Sequence, residues 1–235
     1  MTLPQPSRDL SVDIWLWNNA DQVAQADDLF KTLNREECAR RDRQFSSEKG
    51  VLWAIARANV RARLGAITGQ PANELVFEEN AYGKPNLVGR ALSFSISHDG
   101  AWTALAVCAA APVGIDIEAV QTLQREEMDW PLSAVEKQHL AQVAPVDLPQ
   151  AFFRYWTLKE AFIKALGLGV SFPLHDFDMS PFGEAPSLLR VKGDAAAVRD
   201  WTFEAHEIRP NQRFAVAVKT GGESVKFTYH AKNGG

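Results

Sequence analysis

An α+β fold built of two similar halves is predicted by the order of the sequence patterns, which run strand, helices, strands and then helices, strands again. Two further observations agree with it. Turn signals at Tyr82-Gly83-Lys84-Pro85, Asp99-Gly100 and Ala111-Pro112 cut the β-like stretches into short runs, and two long helical patterns each close at a glycine, Gly65 and Gly167. The halves meet near Pro112, which divides the chain into 1–112 and 113–235. No residue-by-residue repeat accompanies the order, so the likeness is one of element succession.

The first strand is expected over 12–17, where apolar residues alternate before the polar turn Asn18-Asn19. Helices follow as far as Gly65. Asn34 is placed to cap a helix beginning Arg35-Glu36-Glu37, and Ser46 or Ser47 to start the long segment through Leu64. Runs 74–77, 92–96, 103–108 and 113–118 then read as strands. Ser133-Ala134-Val135-Glu136 has the form of a capping box, and 148–166 is a long amphipathic helix. Strands are expected again at 188–191, 201–207, 213–219 and 224–229, before a loose tail at 232–235.

With 235 residues, 46% of them apolar, the chain is long enough to bury a large core. Its net charge of -4 and pI near 5.8 argue against a sequence-independent nucleic-acid binder. No basic leader precedes an apolar run, and no stretch approaches the ~20 apolar residues that span a bilayer, so a cytoplasmic protein with no membrane partner is expected. Cys38 and Cys108 make neither a disulfide framework nor a metal site.

The most informative segment is Val113-Gly114-Ile115-Asp116-Ile117-Glu118, in which two carboxylates two residues apart share one face of a strand. Side by side they repel, and burying them requires a cation between them; a hard divalent ion such as Mg2+ meets that need with oxygen ligands. A solvated edge strand is the equally simple alternative. Trp156-Thr157-Leu158-Lys159-Glu160-Ala161-Phe162-Ile163-Lys164 adds Glu160 and Lys164, one helical turn apart in an aromatic-rich helix, where they form a surface pair or part of a site.

Basic groups make a third set. Lys84 sits in the Gly83-Lys84-Pro85 turn, and His98 closes a strand in Ser95-Ile96-Ser97-His98-Asp99-Gly100. Consecutive Ser97, His98 and Asp99 do not read as a hydrolase triad, which assembles from distant positions. Between Asn34 and Gly65, eight basic residues face four acids, and Trp53, Arg57 and Arg61 recur every fourth position. That stripe is either a solvated face or a dock for an anion, phosphate or acidic partner.

Taken together, these segments resemble the Sfp-type 4'-phosphopantetheinyl transferases. The apolar-Gly-apolar-Asp-x-Glu pattern of that family is matched by 113–118, and its Trp-x-x-Lys-Glu-[Ala/Ser]-x-x-Lys pattern by 156–164, with Glu160 44 residues after Asp116. Upstream the likeness covers Gly83-Lys84-Pro85 and, with departures, 94–100, where Ser95 replaces the usual Asn and Asp99 the usual second Ser.

The resemblance is traceable over about 40–169 and implies two α+β subdomains related by a pseudo-twofold axis, an active site in the cleft between them, and a monomer. It implies transfer of the 4'-phosphopantetheine of coenzyme A to a serine of an apo acyl, polyketide or peptidyl carrier protein, with release of 3',5'-ADP. In that reading Asp116, Glu118 and Glu160 hold Mg2+, and Glu160 removes the serine proton. Lys164, Ser97 and His98 meet the phosphates, and Lys84 meets the nucleotide. Lys159 has no assigned role. The helical stripe adds Arg57 or Arg61 as contacts to coenzyme A or the carrier. The rival readings are another Mg2+-dependent nucleotide enzyme, disfavoured by the lack of a Walker-type loop, and a non-catalytic binding module of the same fold for coenzyme A or a carrier protein.

Overall fold

Period-two alternation sets the first strand, β1 (Leu10–Asn18), with Val12 and Ile14 buried on one face and Trp17 on the other. The computed structural model, which describes residues 10–44, 48–89 and 92–230, continues through α1 (Ala26–Phe30), α2 (Arg35–Gln44) and the long α3 (Glu48–Thr68). A small hairpin of β2 (Phe77–Glu79) and β3 (Pro85–Leu87) leads to β4 (Ser93–Asp99) and β5 (Trp102–Cys108). The plan then recurs: β6 (Val113–Ala119), α4 (Arg125–Asp129), α5 (Ala134–Leu140) and the long α6 (Leu148–Leu166). A second hairpin of β7 (Phe177–Ser180) and β8 (Ser187–Val191) precedes β9 (Trp201–Arg209) and β10 (Gln212–Lys219). The last element is β11 (Val225–His230).

Strand connectivity is the same in both halves. Orders β1-β5-β4 and β6-β10-β9 each pair the first strand with the last, and the last with the one before it, all antiparallel. β11 departs from the division at residue 112. It pairs in parallel with β1, Leu10 opposite Val225, after Gly221 and Gly222 turn the chain at φ 62 and 85.

The two sheets pack against each other and carry a long helix on each outer side. Val12, Ile14, Ala104 and Ala106 meet Ile115, Ile117, Phe214 and Val216 in the core between the sheets. Leu105 and Val107, on the opposite face of β5, meet Val60 and Leu64 of α3, whereas Ala215 and Ala217 of β10 meet the aromatic side of α6. Period two thus makes each central strand apolar on both faces.

Local capping sets the helix ends. Asn34 Oδ1 accepts the Glu37 N–H at 2.9 Å while Glu37 accepts the Asn34 N–H at 3.1 Å, and Ser133 and Glu136 do the same for α5. Gly167, at φ 71, ends α6. Helix α3 runs past Gly65 to Thr68 and turns out at Gly69, φ 69. Gly65 serves close packing instead, since a Cβ there would lie 2.9 Å from the Gln70 carbonyl oxygen. The strand expected at 74–77 begins only at Phe77, because Pro71 leads into a 3-10 turn at Ala72–Glu74. The helix start at Ser46 or Ser47 and the tail at 232–235 lie outside the described residues. Among the described residues no helix is long and apolar enough to cross a membrane.

Candidate active site

Sidedness of β6 creates the site. Val113, Ile115 and Ile117 point into the core between the sheets, so Gly114, Asp116 and Glu118 face α6. A Cβ on Gly114 would fall 2.0 Å from the Ala161 carbonyl oxygen and 2.4 Å from the Ala165 nitrogen, so only glycine lets the helix cross this closely. Phe152, Phe153 and Phe162 are buried on the core side of α6, each burial being worth roughly 1.5–3 kcal/mol, and they fix the rotation of the helix. Trp156, Glu160 and Lys164 are thereby turned toward the strand.

Asp116, Glu118, Glu160 and Lys164 line one cavity of about 480 Å3, together with Ser97 and His98 from β4 and Trp53 and Arg57 from α3. The Lys164 ammonium donates to Asp116 Oδ1 at 2.6 Å and to Ser97 Oγ at 2.8 Å, and the Ser97 hydroxyl donates to the same carboxylate oxygen at 2.9 Å. Asp116 is 2% exposed, yet its Oδ2 has no partner among the described residues. Glu118 accepts the Trp156 indole N–H at 3.0 Å. Burial first, and the neighbouring Asp116 charge second, push Glu118 up to about 7 and raise Glu160 as well.

One ammonium therefore stands against three clustered acids, two of which hold their protons more tightly than usual. That deficit of positive charge, an all-oxygen donor set and the orphaned Asp116 Oδ2 suit a hard divalent cation. The described residues contain no group of three His, Cys, Asp or Glu side chains at metal-holding spacing. Asp116 is engaged by Lys164 and Glu118 by Trp156, so the acids share a cavity wall without being gathered to a point.

Strand β4 meets β6 through side chains. At alternate positions Ser93, Ser95 and Asp99 accept the N–H groups of Val113, Ile115 and Ala119 at 3.0, 3.1 and 2.6 Å, and Ser97 reaches Asp116. Asp99 thus turns its carboxylate to the β6 backbone and stays off the cavity wall. The same contact accounts for Ser95: a short hydroxyl reaches the β6 backbone.

Lys84 lies apart from this cavity. It lines a neighbouring one of about 190 Å3, whose wall it shares with Lys164, and donates to the carbonyls of Val113 at 3.1 Å and Ala165 at 3.3 Å. Burial pulls its ammonium down to about 8. Arg57 reaches the main cavity while paired with Glu37. Arg61 does not: it is 1% exposed, bound to Glu37, and donates to the carbonyls of Ala72 at 2.7 Å and Leu75 at 2.9 Å. The expected ligand role of Arg61 is corrected to that of a buried brace, because burial and three donor contacts fix it between α3, α2 and the turn before β2. In its place the stripe gains Arg40, whose guanidinium stacks 4.3 Å from the Trp53 ring. The ion pairs of Glu37 and Glu136 and the contacts of the β4 side chains to the β6 backbone escaped the sequence reading; only the latter left a signal, a polar residue at every second position.

A family model described as the 4'-phosphopantetheinyl transferase superfamily matches residues 112–219. The chain is 32% identical to the 4'-phosphopantetheinyl transferase HetI of Nostoc sp., over 94% of both chains. It is 33% identical to the 4'-phosphopantetheinyl transferase psf-1 of Bacillus pumilus, over 81% of this chain and 79% of that one. A third relative is the human L-aminoadipate-semialdehyde dehydrogenase-phosphopantetheinyl transferase, 30% identical over 89% of this chain and 73% of that protein.

Proposed function

Because the chain belongs to the 4'-phosphopantetheinyl transferase superfamily, we propose that it moves the 4'-phosphopantetheinyl arm of coenzyme A to a serine of an apo carrier protein and releases 3',5'-ADP. The observation that carries this reading is the shared cavity of Asp116, Glu118, Glu160, Lys164, Ser97 and His98, with Asp116 Oδ2 left open. Asp116, Glu118 and Glu160 are the residues that would hold Mg2+. Bound there, the ion would supply positive charge against that developing on the pyrophosphate. Lys164 brings a second positive charge to the same phosphates. Ser97 and His98 bind the phosphates from the β4 side, and Lys84, in the adjoining cavity, meets the nucleotide. Glu160 accepts the proton of the attacking serine at a side-chain oxygen.

The identical strand order of the two halves supports a pseudo-twofold arrangement with the cavity between them. In this reading one chain supplies both walls, and the protein works as a cytoplasmic monomer. Mass spectrometry of apo carrier proteins incubated with the enzyme, coenzyme A and Mg2+ tests the proposal. The expected result is a carrier heavier by one phosphopantetheine, together with 3',5'-ADP. Binding with no mass gain would establish the non-catalytic module instead.

A further inference from the structure

Lys159 is next to Glu160 in the sequence but sits on another side of α6. Its side chain is 0% exposed. The ammonium donates to the two oxygens of Glu136 at 2.9 and 2.7 Å and to the Phe177 carbonyl at 2.9 Å, and it lies 4.2 Å from the Phe177 ring centroid. An ammonium has three N–H donors, and these three contacts use them all. Glu136 is filled from its far side, where it accepts the backbone N–H groups of Ser133 and Met179, each at 2.8 Å. A single buried pair thus ties the start of α5, the middle of α6 and strand β7 together.

Buried ion pairs stabilise a fold little better than apolar groups of the same volume, but losing one partner strands the other. Geometry is what this pair supplies. It grips α6 at the residue before Glu160, and only at one rotation of the helix does Lys164 meet Asp116 while Glu160 faces the same cavity. We infer that Lys159 is a positioning residue of the transfer site, which through Glu136 holds α6 in the rotation that presents Glu160 and Lys164 to Asp116, and which touches neither coenzyme A nor the acceptor. The inference rests on the transferase reading.

Steady-state transfer kinetics on Lys159→Met and on the double variant Lys159→Met/Glu136→Gln test it, with wild type in the same assay. Misplacing the helix should lower kcat about 10- to 100-fold in Lys159→Met while the KM for coenzyme A stays within about 3-fold. Removing the partner as well does not restore the grip, so the double variant should stay within about 3-fold of Lys159→Met and show no return to wild-type kcat. A tenfold or greater rise in that KM would mark Lys159 as a phosphate ligand and overturn the inference; so would Lys159→Met with wild-type kcat, or a double variant restored to it. Should Lys159→Met fail to fold, Glu136→Gln alone decides: it leaves the lysine in place, and unchanged kcat overturns the inference. A wild-type protein that modifies no carrier sinks the transferase reading, and the inference with it, which the wild-type control separates from a loss confined to the variants.

Discussion

Helix α6 makes two lysine–carboxylate pairs five residues apart, alike in chemistry and opposite in finish. The Lys159–Glu136 pair is closed, with all three ammonium donors used and the carboxylate met by two backbone N–H groups. The Lys164–Asp116 pair is open: the Lys164 side chain is 29% exposed, one Asp116 oxygen has no partner, and two more acids crowd the same wall. A pair that belongs to the framework completes its own hydrogen bonds, whereas a pair that belongs to a site leaves bonding capacity facing a cavity.

Breaking the open pair should give the largest effect. Asp116→Asn is expected to lower turnover by about 10³-fold or more, while thermal unfolding stays at or above the wild-type temperature because a crowded, under-bonded carboxylate is removed. If the proposed Mg2+ site is right, adding a chelator of divalent cations stops turnover in the same way. An Asp116→Asn enzyme with near-normal kcat would erase the distinction between the pairs.

Second in size is a closed pair of the first half. Glu37→Ala leaves Arg61 buried without its carboxylate and is expected to cost roughly 3–5 kcal/mol, read from the denaturant midpoint. Next comes the spacing on which the open pair depends. Gly114→Ala drives a methyl into the α6 backbone, and a loss of roughly 1–3 kcal/mol with a parallel fall in kcat should follow. A Gly114→Ala protein as stable and active as wild type would mean that the helix can stand off without consequence.

The smallest effect concerns Lys84, whose folded value of about 8 lies below its ordinary 10.5. Below pH 8 both states carry the charge and the burial penalty is complete. Between pH 8 and 10.5 the unfolded chain still binds a proton that the folded chain has released, so the penalty shrinks as pH rises. Wild-type stability, measured against Lys84→Met, should therefore climb by roughly 1–2 kcal/mol from pH 7 to pH 10, an amount reduced for partial exposure of the side chain. A flat difference would show that its carbonyl acceptors fully offset burial.

Features written into short stretches of chain were legible. The span of α6 and its Gly167 cap, the Ser133–Glu136 box and the sidedness of β6 follow from periodicity and capping chemistry, which act within a few residues. What escaped depends on distant partners. Nothing near Glu136 or Lys159 shows that they meet across 23 residues, and nothing near Glu37 shows that it takes Arg61 out of the ligand set. The hairpin strands β3 and β7 are three and four residues long, too short for alternation to register. For β11, pattern told strand but could not tell which sheet it joins, because edge pairing is chosen by the tertiary fold.

The parallel pairing of β1 with β11 bears on how the protein is made. Leu10 and Val225 are 215 residues apart. At ~5–20 residues per second on the ribosome, β1 waits roughly 10–40 s for its outer neighbour. Until then its free edge offers unpaired N–H and C=O groups to other nascent chains. The first half therefore matures last, and a fragment that stops short of Val225 is the form most prone to strand-to-strand self-association.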